Sequence, residues 1–340
     1  MTRALCALFM LIACAPATAQ PRLRVIGLAQ DGGLPHAGCV CERCDAARED
    51  PAQAAFVASL AIIVPEDDDE GKTRDKVYLI DATPDLRSQL DLLADVRDAP
   101  EGRADRAPVD GVFLTHAHMG HYTGLMFFGF EALHTQGLPV WCTPRMGEYL
   151  SGNGPWSQLV GMGNIELRKM QPFVMQPPAP NQPAFCGVDG EEGDLVTLLG
   201  SGVTVMALKV PHRDELSDTV GFVIAGPTQR VLYVPDTEPW RTWDEPLGSV
   251  IERLDIDIAI LDGCFYSADE LPGRAASEIG HPLMVDTMDE LQPLVGAGRV
   301  KVLFTHLNHS NRALTPGSLE AQEIVRRGFA VVSMGLEIDL

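Results

Sequence analysis

The sequence predicts a layered α/β fold. Short apolar, β-branched runs recur from residue 24 to the C-terminus, stretches with helical spacing are set between them, and metal-ligand side chains stand just past the carboxyl ends of several runs. Strands, then helices, then strands again fit one layered unit better than separate domains. With 340 residues, 46% of them hydrophobic, the chain can bury a sizeable core. We read residues 20–340 as that single domain.

The elements follow in order. Residues 24–28 read as an opening strand that ends at the Gly32-Gly33 turn. Residues 56–64 and 77–80 read as two further strands, separated by the acidic run Glu66-Asp67-Asp68-Asp69-Glu70, which as a charge run is an exposed loop. Residues 84–96 have Leu86, Leu90, Leu93 and Val96 at helical spacing, with Pro84 where a first turn tolerates it. Residues 112–114 form a short buried strand after Asp110-Gly111, and residues 122–133 an apolar helix. Residues 171–194, rich in proline, glycine and polar side chains, read as an irregular insertion and a candidate lid. Strands are then expected at 203–210, 220–224, 231–234, 256–261 and 300–304, a helix at 319–327, and closing strands up to Leu340.

The formal net charge of −21 argues against a nucleic-acid or anionic-membrane surface, because phosphates would be repelled. The N-terminus resembles a secretory signal: a basic start at Arg3, an apolar run from Ala4 to Ala15, and the small-residue pattern Ala17-Thr18-Ala19. That run is too short to span a bilayer. The pattern favours cleavage after Ala19 and a periplasmic protein. Leu11-Ile12-Ala13-Cys14 also has the form of a lipoprotein box, which would make Cys14 a lipid anchor.

Thr115-His116-Ala117-His118-Met119-Gly120-His121 carries the most chemistry. Residues two apart on an extended segment point the same way, so His116 and His118 converge, and the turn into the next helix brings His121 round. Imidazole suits zinc, iron or manganese. His212, Asp236, Asp262 and His306 each follow an apolar run, at the strand ends where α/β proteins assemble sites.

His116-x-His118-x-x-His121, then His212, Asp236 and His306, resemble the ligand series of the metallo-β-lactamase superfamily over nearly the whole mature chain. The resemblance implies an αββα four-layer sandwich. It implies a first metal on His116, His118 and His212, a second on His121 and His306, and Asp236 bridging them. Where that family has an aspartate before the third histidine, this chain has Gly120. The second site is therefore expected to be weak, empty or filled by a different metal.

Cys39-Val40-Cys41-Glu42-Arg43-Cys44 puts three thiols within six residues, a spacing that strains disulfides. As thiolates around a structural zinc they need a fourth ligand, and His309 supplies it. Disulfide bonding or free reactive thiols are the alternatives for an exported chain. Together with Gly32-Gly33-Leu34-Pro35, the segment from Leu79 to Leu90, Asp262-Gly263-Cys264-Phe265 and Gly280-His281-Pro282, this cluster is similar to the group of the pyrroloquinoline-quinone (PQQ) biosynthesis protein B and the cyclic phosphodiesterase of phosphonate breakdown.

The expected function is metal-assisted hydrolysis of a small phosphodiester or ester, with zinc, manganese or iron in the histidine site. Asp236 would bridge metals or hold the water, and Asp81 would orient a ligand histidine. His281 is a candidate proton donor or an ordinary loop histidine. Cys264 reads as packing rather than as a nucleophile, and Trp141, Trp156, Trp240 and Trp243 as pocket lining or packing. Two other classes stay open: oxygen-dependent tailoring or transport of a quinone-cofactor precursor, and a non-catalytic binding module with a decayed site. The expected partner is a small molecule, and the sequence leaves the oligomeric state open.

Overall fold

The computed structural model describes residues 20–67, 73–175, 193–198, 201–271, 273 and 278–340. The signal-like segment, Cys14, most of the acidic loop and the centre of the 171–194 insertion lie outside those residues. Two seven-stranded mixed sheets, flanked by helices, form the sandwich expected from the sequence.

The first sheet takes its strands from β1 (Arg22–Gly27), β2 (Ser59–Asp67), β3 (Thr73–Ile80), β4 (Gly111–Phe113), β5 (Leu138–Cys142) and β6 (Ile165–Lys169), with β14 (Glu337–Asp339) outside β1. The strands from β14 to β3 pair antiparallel, and those from β3 to β6 pair parallel. The second sheet runs β7 (Leu195–Leu198), β8 (Val203–Lys209), β9 (Val220–Ala225), β10 (Arg230–Val234), β11 (Ile258–Asp262), β12 (Lys301–Thr305) and β13 (Ala330–Val331) in that order across the sheet. It too is antiparallel from β7 to β10 and parallel from β10 to β13. The parallel halves need crossovers. Helices α2 (Leu86–Asp91), α3 (Met119–Tyr122), α4 (Pro144–Gly152) and α5 (Trp156–Gly161) lie between strands of the first sheet, α6 (Leu247–Arg253), α7 (Met284–Gly296) and α8 (Leu319–Arg326) between strands of the second. A further helix, α1 (Glu42–Glu49), follows the opening strand.

Strand alternation builds the layers. Leu60, Ile62 and Val64 of β2 join the core shared with the second sheet, while Ala61 and Ile63 join the core under α2, α4 and α5. Tyr78 and Ile80 of β3 take the first side, Val77 and Leu79 the second. Both faces are buried, so these strands read as continuous apolar runs.

Two expected helices differ. The 84–96 helix closes after Asp91 into tighter turns, and Arg24 and Arg97 donate to the carbonyls of Leu92 and Leu90. The 122–133 segment is not an α-helix: after α3 it becomes a 3₁₀ turn over Thr123–Phe128. Its backbone bonds sideways instead, with Ala82 N donating to His121 O and Gly124 N donating to Ala82 O, both at 2.9 Å. A Cβ at Gly124 would sit 2.0 Å from the Thr83 carbonyl oxygen, so glycine permits this approach.

Candidate metal centre

The site lies where the carboxyl ends of strands from both sheets meet. β3 leads into Asp81, β4 into His116, β8 into His212, β10 into Asp236, and β12 into His306. A backbone bond from Val220 N to Thr115 O (3.1 Å) ties the two sheets beside the first histidines.

His116, His118, His212 and Asp236 form one group of ligand atoms. Asp236 Oδ2 is 3.4 Å from His116 Nε2 and 3.2 Å from His212 Nε2, and His212 Nε2 is 3.1 Å from His118 Nδ1. The same Asp236 oxygen lies 3.8 Å from His121 Nε2, so it faces both halves of the cluster. His281 Nδ1 lies 2.8 Å from Asp262 Oδ2 and 3.3 Å from Asp236 Oδ1. The Cys264 thiol falls within the same neighbourhood as His281 and His306.

Hydrogen bonds fix the ring orientations. Thr115 N and Oγ1 donate to Asp81 at 2.8–3.0 Å, and His121 Nδ1 donates to Asp81 Oδ2 at 2.7 Å. With the Thr115 proton spent on Asp81, its oxygen accepts from His116 Nδ1 at 3.0 Å. This assignment from the network leaves the Nε2 atoms of His116 and His121 aimed into the cluster. Asp81 and His306 both hold left-handed backbone (φ 67° and 60°), strain of the kind stored at functional sites.

Burial pushes His116 well below the ordinary histidine range, assisted by the neighbouring His121 charge. Burial also lowers His118, against the pull of Glu215 at 3.2 Å. His121 goes the other way: burial opposes protonation, yet Asp81 and Asp31 raise it to about 10. His281 and His306 are raised well above normal despite burial, by carboxylates including Asp236 and by the Cys264 thiol. Burial alone would raise Asp236, but His281 and His306 hold it well below the carboxylate range.

Five buried polar atoms here have no hydrogen-bond partner among the described residues: His116 Nε2, His121 Nε2, His212 Nδ1, Asp236 Oδ1 and His306 Nδ1. Each such atom costs about 1–3 kcal/mol if left unsatisfied. Three of the five, His116 Nε2, His121 Nε2 and Asp236 Oδ1, face a carboxylate oxygen or ring nitrogen across the cluster, and a divalent cation is the partner that suits that donor set. The residues fit a metal.

A second cluster forms at the front of the fold. Cys39, Cys41, Cys44 and His309 bring their ligand atoms together. His309 Nδ1 is 3.7 Å from Cys41 Sγ and 3.5 Å from Cys44 Sγ, while His36 N and Cys41 N donate to Cys44 and Cys39 sulfurs. Among the described residues, none of the three thiols is in a disulfide.

Residues 76–307 match a Beta-lactamase superfamily domain. The chain belongs to that superfamily and has the metallo-β-lactamase fold. It is 24% identical to coenzyme PQQ synthesis protein B of Cupriavidus necator over 94% of this chain and 99% of that protein. The protein of the same name from Klebsiella pneumoniae is 26% identical over 94% and 98%. Among solved structures, the zinc-bound PqqB of Methylobacterium extorquens superposes with a TM-score of 0.69 at 19% identity, covering 94% of this chain and all of that one. A diphosphatase of the PhnP family gives 0.57 at 18% identity, over 95% and 98%.

The expected ligands thus lie together in two separate clusters. The four tryptophans are packing elements: Trp141 stacks on Phe113, Trp156 packs on Tyr122, Trp240 donates to Thr287, and Trp243 donates to Thr237. Thr237 in turn bonds Pro211 and Asp262, so the Trp243 indole braces the Asp236 loop against the His212 loop. Sequence reasoning missed Asp31, whose carboxylate meets His121 and His306. A carboxylate directly before a Gly-Gly turn at the end of the opening strand was the available signal.

Proposed function

We propose that this superfamily member is a metal-dependent hydrolase acting on a small phosphodiester or ester. The carrying observation is the cage: His116, His118, His212 and Asp236 share one space, with buried atoms there that have no hydrogen-bond partner among the described residues. A divalent cation in that cage supplies Lewis acidity and activates water near neutral pH. The remaining work belongs to side chains. Thr115 and Asp81 lock the rings of His116 and His121, and Asp236 presents one oxygen to both histidine groups. His281, whose pKa Cys264, Asp262 and Asp236 raise against its burial, is placed to give a proton to a leaving oxygen. Arg213 and Arg145 are exposed beside the ligand loops and suit an anionic substrate, despite the acidic whole. We assign the Cys39, Cys41, Cys44 and His309 cluster to structural zinc, in keeping with its closed thiol-rich donor set. The signal-like N-terminus supports export to the periplasm.

Protein loaded with zinc or manganese is expected to hydrolyse at least one member of a panel of phosphodiesters, lactones and thioesters. His116→Ala should lower that rate by more than about a hundredfold, since ligand loss exceeds the 10–100-fold effect of losing a group behind a ligand. An inert wild-type protein across the panel, with metal bound, would sink the reading.

A second reading rests on the relatives, which are PQQ synthesis proteins B along nearly their whole length. In it, the site serves a quinone-cofactor precursor. Complementation of a bacterium lacking its PQQ synthesis protein B, together with an oxygen-dependence assay, separates the two, because hydrolysis needs no oxygen.

A further inference from the structure

Residue 120 is glycine, which leaves His121 and His306 without a neighbouring aspartate from their own segment. The structure fills that place from elsewhere. Asp31 Oδ1 lies 3.4 Å from His121 Nε2 and 3.4 Å from His306 Nε2, and the three side chains form a distinct ligand group. We propose that Asp31 is the carboxylate ligand of a second metal held with His121 and His306, substituting for the side chain that Gly120 lacks. This rests on the metal-cage reading above and names a ligand that reading did not include.

The distances suit a metal better than direct hydrogen bonding. Ligand atoms about 2.0–2.1 Å from a tetrahedral ion stand about 3.3–3.4 Å apart, whereas a strong charged hydrogen bond is shorter, about 2.7–2.9 Å. His121 makes such a bond at its other nitrogen, 2.7 Å to Asp81, so the longer contact at Nε2 does not come from poor packing of the ring. Nε2 of this fully buried histidine has no hydrogen-bond partner. Asp236 Oδ2, 3.8 Å away, faces the same space from the first cage.

Gly120 itself supplies the independent observation. A Cβ there would fall 2.2 Å from Asp31 Oδ1, 2.7 Å from its Cγ and 2.9 Å from its Cα. Because Cα is backbone, rotating the Asp31 side chain does not clear the clash. Asp31 and a side chain at 120 exclude each other, so the glycine is the complement of the relocated carboxylate. Backbone pairing holds Asp31 there: Leu307 N donates to Leu28 O (2.8 Å), Gln30 N donates to Leu307 O (2.9 Å), and Gly33 N closes a turn onto Gln30 O (2.7 Å). The residue after Gln30 is thereby fixed one step from His306.

The test counts metal rather than activity. Full-length protein stripped by chelator is titrated with zinc alone, and bound equivalents are counted by calorimetry and elemental analysis. Wild type should take three, one at the cysteine cluster and two in the histidine cage. Asp31→Asn should lose one, with at least a hundredfold weaker binding at that step. Asp31→Ala, which removes the carboxylate and leaves Gly120 in place, should lose it likewise and decides the matter alone if Asp31→Asn melts early. An Asp31→Asn or Asp31→Ala protein that still binds three, or a wild type that holds one cage metal regardless of Asp31, would overturn the proposal. A wild type with no cage metal at all would instead overturn the hydrolase reading.

Discussion

The left-handed backbone of Asp81 and its three donors make it the residue on which the histidine rings depend. Together with Asp31 it raises His121 to about 10, against the ordinary 6.5. The pair's contribution to metal-free stability is therefore complete below about pH 6.5 and is lost as pH climbs through about 10, because the folded state binds the extra proton in that window. Metal binding must expel that proton. Chelator-treated protein should melt progressively earlier between pH 7 and 10. Zinc-loaded protein should show the opposite trend, and calorimetry in buffers of different ionisation enthalpy should register proton release on binding. A flat melting profile in the metal-free protein would contradict this assignment.

Among the elements, the turn after α3 shows how a site segment is shaped by what it docks against. Local pattern reads 122–133 as helix, because Tyr122, Leu125, Phe128 and their neighbours are apolar at suitable spacing. The backbone exchange with Ala82 wins, since it satisfies the His121 carbonyl and Gly124 amide while holding His121 against Asp81. Gly124→Ala should cost about 1–3 kcal/mol of stability, as overpacking against backbone does, and should also weaken zinc binding at His121. Denaturant melts and zinc titration check both. The long helix α7 escaped sequence reading although Met284, Thr287, Met288 and Leu291 form its buried face, since Pro293 stands inside it where a local pattern reads a break.

Across the whole molecule, the two clusters of candidate metal ligands share their supports. His306 and His309 stand three residues apart on one loop, and Asp31 and Cys39 on another, with Leu28, Gln30 and Leu307 pairing the two loops. Anchoring His309 to the thiols therefore also anchors His306 and Asp31. Cys44 is fully buried, with its sulfur against His36 N and His309 Nδ1, so Cys44→Ser removes a thiolate ligand from the cluster. We expect a loss of about 2–4 kcal/mol in zinc-loaded stability, since metal binding free energy is folding free energy. Weaker binding of the second cage metal should follow although no cage ligand is changed. Unchanged cage affinity in Cys44→Ser would show the two loops to be independent.

The sequence by itself determined what depends on neighbours along the chain. The His116-His118-His121 spacing, the thiol cluster and the ligands placed just past apolar strands are set by strand alternation and by turns a few residues long. Together they were enough to specify the layered fold and most of the cage. Only the tertiary structure decided which distant carboxylate stands beside His121 and His306. That outcome depends on the register in which the segment after β1 pairs with the segment after β12, and on a glycine leaving room between them. Sheet register across long loops is fixed by the summed burial of both cores rather than by any local signal. For that reason Gly120 reads in the sequence as a missing ligand, and in the fold as space already taken by Asp31.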